Sequence, residues 1–217
     1  MICSPHQVLV ITQCSKKKRK REYFPKGPRK SVLENLDEKY KKQLILARQS
    51  QLGAIINNPV GTALSVYDGW LYRVLDRELV RKAFEEGYVD FTIISAGYGF
   101  VHGFEPIGIY DIFMSATMKK FWVHAGLPCI ISNYAKNIRA RIVLGFFAYK
   151  TKYRELFEEI KWPENIEKKI LYTSSCNSTS TILMSIGEAI NTVLMHIMNG
   201  EEIPLTIDTS RCIVEAI

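Results

Sequence analysis

The chain has 217 residues, 47% of them hydrophobic and 24% charged, with a net charge of +7 at pH 7. Those proportions fit one large folded domain over residues 1–217 and exclude a disordered or fibrous chain. No apolar run reaches the roughly 18–20 residues a bilayer span requires, and the first six residues lack the basic start and apolar stretch of a secretion signal, so a cytoplasmic location is expected.

Five cysteines (Cys3, Cys14, Cys129, Cys176 and Cys212) form no C-x-x-C pair, and the four histidines are scattered. A paired-cysteine zinc site, a disulfide scaffold and a bound metal or cofactor are therefore not expected. Charge is concentrated instead. Between Lys16 and Lys30 stand nine cations and one acid, Glu22, so this segment carries +8 and the remainder of the chain −1.

Residues 7–12 read as a short buried strand, and Pro25, Gly27 and Pro28 keep the basic stretch that follows from becoming helix. A helical pattern covers 31–51, with Ser31 and Glu34 spaced as a capping box. Residues 53–59 form a turn. Residues 62–67 read as a strand, then Asp68 caps a helix over 69–86. A second buried strand covers 90–95 and leads into a glycine-rich turn. A helix over 115–124 precedes a third strand at 128–132, and helices cover 136–145 and 152–160. A fourth strand lies at 169–173, and an apolar helix runs from 179 to 198 and stops at Asn199-Gly200. The tail adds a strand at 211–214. Strands alternating with helices predict an α/β fold, a mostly parallel, possibly mixed central sheet flanked by helices.

Ligands of open α/β sheets bind outside the carboxyl ends of the strands. On this reading four turns share that rim: Cys14-Ser15-Lys16-Lys17, the stretch from Ser95 to Gly99 with Gly97 and Tyr98, the stretch from Ser132 to Lys136, and the Ser/Thr-rich stretch from Ser174 to Ser180. Six consecutive cations, Lys16, Lys17, Lys18, Arg19, Lys20 and Arg21, repel one another, and phosphates relieve that repulsion with release of counterions. Tyr23 and Phe24 beside them are able to stack on bases. Ser175, Asn177, Ser178 and Thr179 either cap the last helix or hold an anion at its N-terminus, and Lys136 and Arg139 add phosphate contacts. Candidates for catalysis are Ser95, Tyr98, His102 and Asp111, with Cys14 as a nucleophile beside lysines.

Ser95-x-x-Tyr98-Gly99 followed by Glu105, Tyr110 and Met114 resembles the signature of the YaaA peroxide-stress family. Gly69-x-x-Tyr72 upstream and Phe121-Trp122 downstream resemble further segments of that family. The Cys14-Ser15-Lys16-Lys17 stretch is similar to the start of a related group of short uncharacterised proteins. Asp111 and Ile109 stand where YaaA proteins tend to carry Arg and Pro. The resemblance implies an α/β fold, DNA binding in a stress response, and a site lined or shaped by Gly69, Tyr72, Ser95, Tyr98, Gly99 and Tyr110.

The sequence thus predicts a binder of DNA or RNA that uses the basic loop after its first strand. Two alternatives stand beside it: an enzyme acting on a nucleotide or nucleobase by glycosyl transfer or base modification, and a subunit that docks the basic loop on an acidic partner.

Overall fold

The computed structural model describes residues 8–19, 27–173, 176 and 178–217. In chain order its elements are β1 (Val8–Gln13), a 3-10 turn (Val32–Asn35), α1 (Glu38–Leu52), a second 3-10 turn (Gly53–Asn57), β2 (Gly61–Thr62), α2 (Ala63–Val66), α3 (Trp70–Val74), α4 (Arg77–Glu85), β3 (Val89–Ser95), β4 (Gly99–His102), β5 (Pro106–Ile107), α5 (Ala116–His124), α6 (Leu127–Asn137), β6 (Ile142–Phe146), α7 (Lys152–Glu158), β7 (Glu167–Tyr172), α8 (Thr179–Asn199), β8 (Thr206–Asp208) and β9 (Ile213–Ala216).

Seven strands make one mixed sheet in the order β4-β3-β1-β6-β7-β9-β8. The four central strands, β3, β1, β6 and β7, are parallel, and the strands at either edge are antiparallel. Every residue of β1 and β3 is buried, as expected of parallel strands covered on both faces. The covering helices pack in two groups, α3 and α4 with α8, and α1 and α5 with α6, with α7 on α5. The chain adopts the expected α/β fold, with a mixed central sheet whose four-strand core is parallel.

Several elements differ from the sequence reading for local reasons. The Ser31–Glu34 capping box is present, but it caps the 3-10 turn, and α1 starts afresh at Glu38. Residues 62–67 are one helical turn after a two-residue strand. The helix expected over 69–86 breaks at Asp76, whose carboxylate accepts hydrogen bonds from the amides of Glu78 and Leu79 and so starts α4. The expected strand at 128–132 is the middle of α6. Leu127, Ile130, Ile131, Tyr134 and Ala135 are its buried residues, at helical spacing, and Pro128 sits in its first turn. The expected helix over 136–145 is instead the end of α6, a turn with Arg139 at φ 59° and then strand β6. The tail makes a hairpin of two strands rather than one.

The disulfide expectation is also corrected. Cys176 and Cys212 are bonded, with Cα atoms 5.8 Å apart, which ties the exit of β7 to the terminal hairpin. Helix α8 is long and apolar enough by length and composition to cross a membrane, contrary to the reading of the bare sequence. Its Ile186, Ala189, Ile190, Val193 and Leu194 are buried in the core, and Gly200 ends it in the left-handed conformation.

Candidate functional site

Strand order reverses at β1: the chain passes to β3 on one side of it and to β6 on the other. The carboxyl ends of strands at such a point diverge and leave a crevice. A cleft of about 480 Å³ opens there, a size typical of small-ligand sites. Its walls come from the end of β1 (Gln13 to Lys17), from the segment Asp68 to Arg73, from Ile112, Phe113 and Met114, from Tyr153 of α7 and from Leu183 of α8.

The described start of the basic loop, Lys16 to Arg19, is held in place at this mouth. Lys18 bridges Tyr67 in antiparallel fashion; the Arg19 amide donates to the Val66 carbonyl (2.8 Å) and the Asp68 amide to the Lys17 carbonyl (2.9 Å). Gly69 makes this approach possible. Its amide donates to Ser15 Oγ (3.0 Å), and a Cβ on it would lie 2.7 Å from the Ser15 Cβ. Lys16 and Lys17 line the cleft and are exposed. The Asp68 carboxylate lies 3.7 Å from Lys17, 3.8 Å from Arg19 and 3.9 Å from Arg73. Asp68 therefore gathers cations rather than capping the helix, and Gly69 occupies the cap position of α3. Lys18 turns inward, with Nζ 3.8 Å from the centre of the Tyr110 ring. Burial lowers its pKa, opposed by Cys14 and Asp111.

Beneath the cleft lies a knot of hydroxyls. Tyr67 donates to Ser95 Oγ (3.2 Å), and Tyr110 bonds both Tyr67 (2.9 Å) and Ser95 (2.8 Å). Ser95 also accepts from the Tyr98 amide (3.0 Å), which tightens the turn after β3. The Tyr72 hydroxyl donates to the Gln13 carbonyl (2.7 Å), fixing α3 to the end of β1. Burial pushes the phenols of Tyr67, Tyr72, Tyr110 and Tyr153 well above their ordinary range. Cys14 is buried at the cleft floor, its Sγ 3.0 Å from the Tyr153 hydroxyl and 3.5 Å from the Ala96 amide.

The turn after β3 is braced from below. Arg48 donates to the carbonyls of Tyr98 and Phe100 and forms a buried ion pair with Glu105 (2.7 Å). Gly97 accommodates the Tyr110 ring, and Gly99, at φ +72°, leaves room for the Trp122 ring. Tyr98 is buried, and its hydroxyl accepts from the Gly108 amide (2.8 Å).

The structure therefore brings Cys14, Ser15, Lys16, Lys17, Gly69 and Tyr72 to one cleft and places Ser95, Gly97, Tyr98, Gly99 and Tyr110 as its support. Other candidates fall elsewhere. His102 is wholly buried between Phe84 and Phe104. Its Nδ1 accepts from the Phe104 amide, and its Nε2 lies 2.7 Å from the Asp90 carboxylate, so it is a core residue and not a group in the cleft. Asp111 is exposed and does not line the cleft; Lys18 feels its charge. Lys136 and Arg139 lie just before β6, at the amino ends of the parallel strands, opposite the basic loop. The error follows from reading 128–132 as a strand, which put its exit on the wrong rim. Ser178 caps α8 by accepting from the Thr181 amide (3.2 Å), and neither it nor Thr179 lines the cleft. Lys20, Arg21, Tyr23, Phe24, Ser175 and Asn177 lie outside the described residues.

Sequence reasoning missed Trp70, Arg73, Phe113 and Tyr153. Trp70 and Arg73 had a signal, since they share a helix face three residues apart directly after Gly69. Phe113 and Tyr153 had none, because their place depends on folding at long range. No protein-family model matches the chain, and no curated protein matches it in sequence.

Proposed function

We propose that this protein binds nucleic acid at the cleft beside β1, with backbone phosphates on Lys16, Lys17 and Arg73. The carrying observation is that two cations from the basic loop and one from α3 meet at a single mouth, against one carboxylate, Asp68. Backbone pairing with residues 66–68 holds Lys17 to Arg19 there, so the charge of this stretch is presented without a large ordering cost. The likeness of the Tyr-Gly stretch to the YaaA family supports the same reading.

The test is fluorescence anisotropy of a labelled single-stranded 20-mer and its duplex at rising salt. Affinity should fall with salt, by about 0.7 in logarithmic slope per phosphate contacted on a single strand and about 0.9 on a duplex. The double variant Lys16→Glu, Lys17→Glu should bind more weakly and with a shallower slope. Equal affinity and slope for the two proteins would remove the proposal.

One observation favours a second reading, an enzyme acting on the bound nucleotide. Cys14 presents its sulfur at the cleft floor beside the Tyr153 hydroxyl and the Ala96 amide. In that case Cys14→Ser would abolish turnover of a nucleotide and leave its binding nearly unchanged; failure to turn over any member of a nucleotide panel counts against this reading.

A further inference from the structure

The cleft carries more apolar surface than phosphate binding needs. Trp70 and Phe113 line it from two segments, yet they are 46% and 66% exposed. Exposed large aromatics in a concave site call for a flat, π-faced ligand rather than for a core. The Arg73 guanidinium lies 4.7 Å from the centre of the Trp70 ring, so the same cation that meets phosphate also steadies the indole. A second aromatic group stands on this rim, beyond the end of β6. Tyr149 is 44% exposed and stacks on Tyr172 at the end of β7, with ring centres 5.7 Å apart and planes at 24°. Arg154 lies 4.5 Å from the Tyr172 ring and Lys150 lies 5.1 Å from the Tyr149 ring.

Resting on the nucleic-acid reading above, we infer that the ligand is a single strand laid along the carboxyl rim of the sheet, with one unstacked base in the cleft against Trp70 and Phe113 and a neighbouring base on Tyr149. A duplex keeps its bases stacked and turned inward, so these aromatics would gain nothing from it. Phosphates between the bases meet Lys16, Lys17 and Arg73 at the cleft and Lys150 beside Tyr149. Base–aromatic stacking tolerates any base, so the rim selects strandedness more than sequence.

The protein contains its own probe. Of its three tryptophans, Trp122 is wholly buried and Trp162 is partly so, whereas Trp70 faces the cleft. Single-stranded 12-mer DNA should quench the fluorescence of the wild-type protein, and Trp70→Phe should lose the quench while still binding by anisotropy. Trp70→Ala and Phe113→Ala should each weaken the 12-mer by between about 5- and 150-fold, the range for loss of one stacked base. Both should also weaken a mononucleotide such as AMP, whereas Tyr149→Ala should weaken the 12-mer alone. The corresponding 12-mer duplex should bind more weakly than the single strand and be insensitive to all three changes. If Trp70→Ala and Phe113→Ala bind the single strand as the wild type does, while the salt slope persists, the stacking inference is wrong and the electrostatic reading survives. If the wild-type protein binds neither strand nor duplex, both fall together.

Discussion

Replacing Glu105 by Gln should cost about 3–5 kcal/mol of stability, the usual penalty for breaking a buried ion pair from one side. The pair is well isolated from water: the Arg48 and Glu105 side chains are 3% and 6% exposed. Glu105 uses its second oxygen to accept from the amides of Val32 (3.0 Å) and His102 (3.2 Å), while Arg48 also donates from Nε and Nη2 to the carbonyls of Tyr98 and Phe100. Glutamine keeps an oxygen acceptor and removes the charge, which leaves the guanidinium buried without a counterion. For a chain of this length that corresponds to a fall in Tm of about 6–20 °C. Glu105→Ala should lose more, since it also strands two buried amides at about 1–3 kcal/mol each. Urea unfolding followed by circular dichroism measures both variants against the wild type. The double change Arg48→Met, Glu105→Gln should lose less than the sum of its parts, because no unpaired charge remains. A loss below about 1 kcal/mol for Glu105→Gln would show that water or another acid compensates Arg48, contrary to the geometry that braces the turn after β3.

Alkaline pH should unfold the protein steeply. Burial raises the phenols of Tyr67, Tyr72, Tyr110, Tyr134 and Tyr153 well above the ordinary 10.0. Their stabilising contribution is complete below pH 10, where folded and unfolded chains both keep the proton, and is lost as pH climbs from there toward the folded values, because only the unfolded chain ionises. Phenolate absorbance from these five should appear together with loss of the circular dichroism signal; separate, earlier ionisation would contradict their burial. Gly99→Ala should destabilise by about 2–4 kcal/mol, combining a left-handed backbone with overpacking. Its Cβ would lie 2.5 Å from the ring of Trp122, whose Nε1 donates to the Ala96 carbonyl. Thermal unfolding checks this, and a Tm equal to that of the wild type would refute it.

Three of the four central strands were legible: β1 and β3 follow mostly apolar runs and β7 follows its Ile170-Leu171 centre, whereas β6 was read as part of a helix. Helix α6 was not, because Cys-Ile-Ile at 129–131 is apolar at every position and carries no period over three residues; only the wider spacing out to Tyr134 and Ala135 reveals a helix. That one misreading moved Lys136 and Arg139 to the wrong end of the sheet. The site was legible where it is local. Ser15, Lys16 and Lys17 follow a strand, and Gly69 and Tyr72 open a helix. It was illegible where partners are distant: Cys14 and Tyr153 are 139 residues apart, and nothing in the neighbourhood of either announces the other. His102 misled for the opposite reason, since a histidine near glycines looks functional until its burial between two phenylalanines is seen.

The buried hydroxyls constrain what the cleft is able to do. Tyr67, Ser95 and Tyr110 satisfy one another in a closed triangle, and Tyr72 is committed to the β1 carbonyl end. With their phenols held in the neutral form by burial, these residues supply rigidity and not charge. Among the described residues, ligand charge in the cleft is met by Lys16, Lys17 and Arg73, and Asp68 already offsets part of that. Lys18 is withdrawn onto Tyr110. Among the described residues of the basic run, Lys16 to Arg19, only Lys16 and Lys17 line the cleft. It follows that binding should show the modest salt dependence of a few phosphate contacts, with the aromatic wall making up the remainder of the affinity. A steep slope, of the kind expected from six or more contacts, would mean that cations other than these three carry the binding.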